Sequence, residues 1–136
     1  MNQLFHPQHP GLVRRVMLLD DEAISNFILR RMIFHVSPDV QVFDFVHPQE
    51  ALAQLPYLKP DLLFLDVNMP LMSGWEFLRE VEKLGLFCPV HILTSSTSEV
   101  DAQEARRHGL VQNLFIKPMY QDVLAHLLLV ETAVAA

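Results

Sequence analysis

Cysteine, glycine, basic clusters and long apolar runs are all scarce in this 136-residue chain, and each shortage removes a class of function. Cys88 is the only cysteine, so no intrachain disulfide can form. Four glycines leave neither a phosphate-cradling P-loop pattern nor a Gly-rich dinucleotide fingerprint, which sets nucleotide binding aside. Ten Lys and Arg face sixteen Asp and Glu, for a net charge of -6 and a pI of about 5.5. No basic run is present to attract nucleic-acid phosphates, so no nucleic-acid partner is expected. The apolar runs "VMLL", "LLFL" and "LLLV" fall far short of the roughly 18 to 20 residues that span a bilayer. The opening "MNQLFHPQHP" has neither the charged start nor the apolar stretch of a secretory signal. A cytoplasmic protein without a membrane partner is the expectation.

What the chain does have is apolar residues, 51% of the total, at a length typical of one domain with a substantial core. Residues 1–12 carry His6, His9 and three-residue-spaced prolines without periodicity, and read as an irregular arm with solvated histidines. The folded domain is expected over residues 13–131, with a tail over 132–136. "VMLL" reads as a strand ending in Asp20 and Asp21. "EAISNFILRRMIFH" reads as a helix with Ile24, Phe27, Ile28 and Met32 at helical spacing. "VQVFDFV" is a second strand, "PQEALAQL" a short helix with Pro48 in its first turn, and "DLLFLD" a third strand without polar alternation. In "SGWEFLREVEKLGL", Ser73 and Glu76 have capping-box spacing, Phe77, Leu78, Val81 and Leu84 form a stripe, and Gly85 ends the helix. "PVHILT" is a fourth strand, "SEVDAQEARRHG" a polar helix closed by Gly109, "NLFIK" a fifth strand and "YQDVLAHLLLVETA" a last helix. Strict alternation of strand and helix with continuous apolar strands predicts an α/β fold: a parallel sheet with helices on both faces, joined by right-handed crossovers.

In such sheets ligands sit at the carboxyl ends of the strands. The polar residues falling there are Asp20 and Asp21, Asp66, Thr94 and Lys117. Each has a plainer role when taken alone: the aspartates as helix caps, Lys117 as a turn residue, Thr94 as the start of a hydroxyl-rich capping loop. Their joint placement at one edge argues for a shared site. Three nearby carboxylates repel unless a cation shares them, and hard oxygen ligands suit Mg²⁺. A lysine and a hydroxyl aimed at the same place suit a phosphoryl group, with Asp66 as the nucleophile that would form an acyl phosphate.

The blocks "VMLLDDE", "LLFLDVNMPLMSGWEFL", "VHILTSS" and "LFIKP", in this order and spacing, resemble those of bacterial two-component response regulator receiver domains of the stand-alone, chemotaxis-regulator type. The resemblance runs from about Arg15 to Val130. It implies a flavodoxin-like five-stranded parallel sheet of order 2-1-3-4-5. It also implies Asp66 as phosphoacceptor from a histidine kinase or phosphotransfer protein, and Mg²⁺ held by Asp20, Asp21, Asp66 and the backbone carbonyl of Asn68. Thr94 and Lys117 would contact phosphoryl oxygens, Ser95 would move with Thr94 as part of the switch, and Pro118 would follow a cis peptide bond. Asn68 and Ser96 would flank the phosphoryl group and tune its lifetime.

Two positions depart from that pattern. Leu114 stands where the family's switch aromatic is usual, with Phe115 expected on the opposite strand face. Ser73 stands where an acidic residue is common. The last helix is expected to end within a few residues of Ala136, so the expected output is a change in protein binding and not an enzymatic activity. Its wide apolar circumference, "VLAHLLLVETAVAA", suggests a partner-docking or homodimer surface. Two other functions remain open: an interaction module that works without phosphate, and a phosphohydrolase of the haloacid dehalogenase type. The hydrolase needs a second acid two residues after the nucleophile, where this chain has Asn68.

Overall fold

The computed structural model describes residues 13–135, with side chains described through Leu129. The arm expected over residues 1–12 lies outside the described residues. Five strands and five helices alternate: β1 (Arg15–Leu19), α1 (Ala23–Val36), β2 (Gln41–Phe45), α2 (Pro48–Leu58), β3 (Leu62–Leu65), α3 (Gly74–Lys83), β4 (Val90–Thr94), α4 (Glu99–Arg107), β5 (Val111–Ile116) and α5 (Gln121–Ala135). All strand pairs are parallel and the order is β2-β1-β3-β4-β5, as the resemblance implies.

The unbroken apolar strands are explained by two cores, one on each face of the sheet. Successive side chains of a strand point to opposite faces. Met17, Leu19, Leu63 and Leu65 therefore pack with Ala51 and Leu55 of α2 and with Phe77, Leu78 and Val81 of α3. Val16, Leu18, Leu62 and Phe64 pack with Leu29 and Ile33 of α1 and with Leu124, Leu127 and Leu128 of α5. A strand covered on both faces, as β1 and β3 are, leaves no room for an unpartnered carboxylate until it ends, so Asp20 and Asp66 mark the sheet edge.

Several local expectations need correction. The helical spacing at Ile24, Phe27, Ile28 and Met32 marks α1 but not its buried face. Ile24, Phe27 and Ile28 are 63%, 53% and 53% exposed, while Asn26, Leu29 and Ile33 are buried. On that buried side Leu29 and Ile33 pack in the core with β1 and β3, and the Asn26 amide donates to the carbonyls of Asp20 (3.2 Å) and Phe45 (2.9 Å). α2 continues to Leu58, past the expected "PQEALAQL". α4 ends at Arg107, with His108 extended, so Gly109 lies in the following turn and does not cap the helix. β5 begins at Val111, two residues earlier than "NLFIK". α5 runs from Gln121 through Ala135.

α3 forms as its sequence predicts. Ser73 Oγ accepts from the Glu76 amide at 3.1 Å, and Glu76 Oε1 accepts from the Ser73 amide at 2.9 Å, completing the capping box. Gly85, at φ +71°, takes the left-handed conformation that follows the helix and that costs other residues more. Ser73→Ala removes the bond to Glu76 N and is expected to destabilise the fold by about 1 kcal/mol, read as a lower urea midpoint at unchanged m.

Candidate functional site

The parallel register brings the strand-end residues together. Leu19 of β1 is paired with Leu65 of β3, so the next residues, Asp20 and Asp66, leave neighbouring strands side by side. The backbone continues the ladder: Asp20 N donates to Phe45 O (3.2 Å) and Asp66 N to Leu19 O (3.0 Å). Thr94 of β4 pairs with Ile116 of β5, and Lys117 N donates to Thr94 O at 2.8 Å, which aims the lysine at the same edge. The Lys117–Pro118 peptide bond is cis.

The result is a compact charged cluster. Asp20, Asp21 and Asp66 offer carboxylate oxygens that all lie within 4.8 Å of one another. Asp20 and Asp66 are buried, at 6% and 7% exposure, whereas Asp21 is exposed. Lys117 Nζ lies 2.6 Å from Asp20 Oδ2 and 3.3 Å from Asp66 Oδ2, and 3.5 Å from Ser25 Oγ. The remaining Asp20 and Asp66 oxygens accept from backbone amides, Glu22 N and Asn68 N, both at 2.9 Å. Each buried carboxylate is thus held by one backbone donor and by one shared ammonium.

One lysine does not neutralise three carboxylates. Burial, followed by the charge of Asp20, raises the pKa of Asp21 above the ordinary 3.8, so it resists ionising beside its neighbours. For Lys117, burial opposes the charged form, but the hydrogen bond and charge of Asp20, joined by Asp66, outweigh it and raise the pKa above 10.5. The site carries excess negative charge on hard oxygen donors facing one another. That donor set fits Mg²⁺.

Thr94 is fully buried, and its Oγ1 accepts from Ser96 N (3.1 Å) and from Asn68 Nδ2 (3.3 Å). It therefore joins the cluster through Asn68, whose backbone in turn holds Asp66. Ser95 is exposed beside it. Leu114 and Phe115 lie on opposite faces of β5, Leu114 in the core with α2 and α3, Phe115 in the core with α1 and α5. Pro118, with Ser25, Ile28, Met32, Lys117 and Met119, lines a largely apolar cavity of about 160 Å³ beside Asp20 and Asp66.

Sequence reasoning missed Ser25 and Asn26, which fix Lys117 and the Asp20 backbone. An asparagine on an otherwise apolar helical stretch was the available signal. It also gave no role to Gly74. The Gly74 amide donates to Val67 O at 3.0 Å, and a Cβ there would lie 2.7 Å from Val67 Cα and 2.8 Å from Asp66 O. The first residue of α3 is pressed onto the backbone that carries Asp66.

The arrangement places a carboxylate at a buried strand end, an ammonium 3.3 Å from it and a hydroxyl linked to it through Asn68, groups of the kind that phosphoryl transfer uses. Among the described residues no helix is long and apolar enough to cross a membrane.

Comparison with known proteins agrees with this geometry. Residues 16–129 match the family model described as "Response regulator receiver domain". The chain is 32% identical over 106 residues to the cyclic di-GMP phosphodiesterase response regulator RpfG of Xanthomonas campestris pv. campestris, covering 76% of this chain and 28% of that protein. It is 31% identical over 114 residues to a protein-glutamate methylesterase/protein-glutamine glutaminase of Aliivibrio fischeri, covering 80% and 29%. The chain therefore spans less than a third of the length of these curated relatives. Among solved structures it resembles the chemotaxis protein CheY4 of Vibrio cholerae, with TM-score 0.69, 30% identity and coverage of 85% of this chain and 96% of that one. It likewise resembles the response regulator domain of Thermotoga maritima CheB, with TM-score 0.71, 30% identity and coverage of 90% and 96%.

Proposed function

The chain belongs to the response regulator receiver domain family, and from that premise we propose that it accepts a phosphoryl group on Asp66 and signals through altered protein binding. The observation that supports this reading is the placing of a buried Asp66 carboxylate 3.3 Å from Lys117 Nζ, at the end of a strand buried on both faces. On this reading the receiver unit spans residues 13–131, between the arm and the tail, and works in the cytoplasm. The donor is a histidine kinase or phosphotransfer protein. The chain promotes only its own phosphorylation and dephosphorylation and turns over no separate substrate. The downstream partner, or a second copy of the chain, would dock on the α5 region, part of which lies outside the residues whose side chains are described.

Mechanistically, β3 holds Asp66 still while its Oδ1 is fixed by Asn68 N, which leaves Oδ2 to form the O–P bond as the donor's bond to phosphorus breaks, P–N in a phosphohistidine or P–O in acetyl phosphate, and the imidazole or acetate departs. Lys117 gives up part of its contact with Asp66 Oδ2 and meets the incoming phosphoryl oxygens instead. Thr94 donates its hydroxyl proton to another phosphoryl oxygen once transfer is complete. Mg²⁺, held by Asp20, Asp21, Asp66 and the Asn68 carbonyl, would offset the charge of the carboxylates and of the phosphoryl group. Asn68 has no exchangeable acid proton at neutral pH, which disfavours the hydrolase reading. Its amide also donates to Thr94, so the side chain is already engaged.

Intact mass after incubation with Mg²⁺ and acetyl phosphate tests the proposal. A single phosphoryl adduct is expected, lost with a chelator and lost in Asp66→Asn. A folded wild-type chain that takes no adduct, where a control receiver is labelled, would instead support a phosphate-independent interaction module.

A further inference from the structure

We infer that Asp101 is a positioning residue: it latches the β4–α4 loop to Trp75 of α3, and phosphorylation of Asp66 has to release that latch. The inference rests on the phosphoacceptor reading above and concerns how this chain's own residues resist it. Asp101 lies in the first turn of α4 and uses both carboxylate oxygens. Oδ1 accepts from the Trp75 indole Nε1 at 2.9 Å, and Oδ2 accepts from Ser96 Oγ at 2.7 Å. Ser96 is the second residue after Thr94, and its amide donates to Thr94 Oγ1 at 3.1 Å. Its Oγ also accepts from Ser98 N at 3.1 Å. A continuous path of three hydrogen bonds therefore joins the switch hydroxyl to the indole.

The indole end of that path is anchored. Trp75 is 8% exposed and stacks on the His108 ring, with centroids 5.5 Å apart and planes 13° from parallel. His108 Nδ1 lies 3.0 Å from Glu82 Oε2 of the same helix as Trp75. Trp75 directly follows Gly74, which is pressed against the Asp66 and Val67 backbone. The frame that carries the nucleophile thus also carries the post to which the loop is tied. When a phosphoryl group on Asp66 draws the Thr94 hydroxyl inward, Ser96 moves with it through the amide bond to Thr94 Oγ1. Asp101 then has to give up Ser96 or Trp75. Leu114 makes such a route informative, since the usual aromatic side chain is missing from β5.

A plainer role for Asp101 is the favourable charge of an acid in the first turn of α4. Trp75→Phe helps separate the two, because it removes the N–H donor while keeping an aromatic ring and the Asp101 charge, and Asp101→Asn keeps Trp75 and its stack on His108 intact. A latch bond to a charged acceptor opposes the phosphorylated state, so its loss should tighten the binding of beryllofluoride with Mg²⁺, read by calorimetry, by about tenfold. Asp101→Ala should tighten it at least as much, and Asp101→Asn, which retains one acceptor oxygen, by less. Trp75 is the only tryptophan, so its emission reports the latch directly. Saturation with beryllofluoride and Mg²⁺ should shift that emission in the wild type, and should leave it unchanged in Asp101→Ala. A wild-type beryllofluoride affinity in both Trp75→Phe and Asp101→Ala, or a wild-type emission unmoved at saturating beryllofluoride, would overturn the latch while leaving Asp66 as acceptor. A wild-type chain that is never labelled removes the acceptor reading itself, and the latch with it.

Discussion

Lys117→Ala is expected to slow labelling of Asp66 by about a hundredfold or more, because it removes a charged donor aimed at the transferring oxygens. The same change should destabilise the fold. Lys117 bonds Asp20 Oδ2 at 2.6 Å and Asp66 Oδ2 at 3.3 Å, and without it two buried carboxylates face each other with one backbone donor apiece. Breaking a buried pair in this way costs about 3–5 kcal/mol, and the partial exposure of the lysine places the expectation at the low end. In the wild type the pKa of Lys117 is raised in the folded state, so its contribution is fully present below the ordinary value of 10.5 and is lost as the pH rises through the folded value. Urea midpoints of both proteins at pH 7 and 11 check this. Equal midpoints at pH 7 would show that the ammonium adds nothing to the fold, and undiminished labelling would remove it from the site. Added Mg²⁺ should restore part of the variant's stability by mass action.

Gly74→Ala should be the other severe change, although alanine is the better helix former. Its methyl would lie 2.7 Å from Val67 Cα and 2.8 Å from Asp66 O, both of them backbone atoms. No rotamer change can relieve such a clash, so either α3 or the end of β3 must shift. Overpacking of this kind costs about 3 kcal/mol, which for a domain of this size lowers Tm by roughly 10 °C. Labelling should also fall by about tenfold or more, since small displacements of a nucleophile are expensive. Thermal denaturation alongside intact mass measures both. A wild-type Tm would mean that the α3 entry relaxes freely, and the anchor assumed for Trp75 would fail as well.

These two residues illustrate how unevenly the site could be read in advance. Asp20, Asp21, Asp66, Thr94 and Lys117 were legible because each stands at or just past the carboxyl end of a strand, and a parallel sheet sends such residues to one edge. Gly74 was not, because its importance is an interatomic distance to residues on another segment. The buried face of α1 was not legible either. Periodicity at Ile24, Phe27, Ile28 and Met32 finds the helix, whereas the side toward the sheet carries Leu29, Ile33 and a buried Asn26 with two carbonyl partners. Helix ends at Arg107 and Leu58 shifted because termini are marginal and neighbouring turns set them.

By itself the sequence determined the alternation of strands and helices, the two-faced apolar core and the set of residues that end the strands. These follow from local periodicity and from the free-energy cost of burying an unpartnered charge, both of which are written along the chain. Only the tertiary structure decided that one lysine is shared by two carboxylates. Only there do Thr94 and Asp66 meet through Asn68, and does the loop after Thr94 reach Asp101 and Trp75. Those contacts join residues far apart in the chain, and hydrogen bonds and close packing depend on distances of a few tenths of an ångström that no pattern of residue types records.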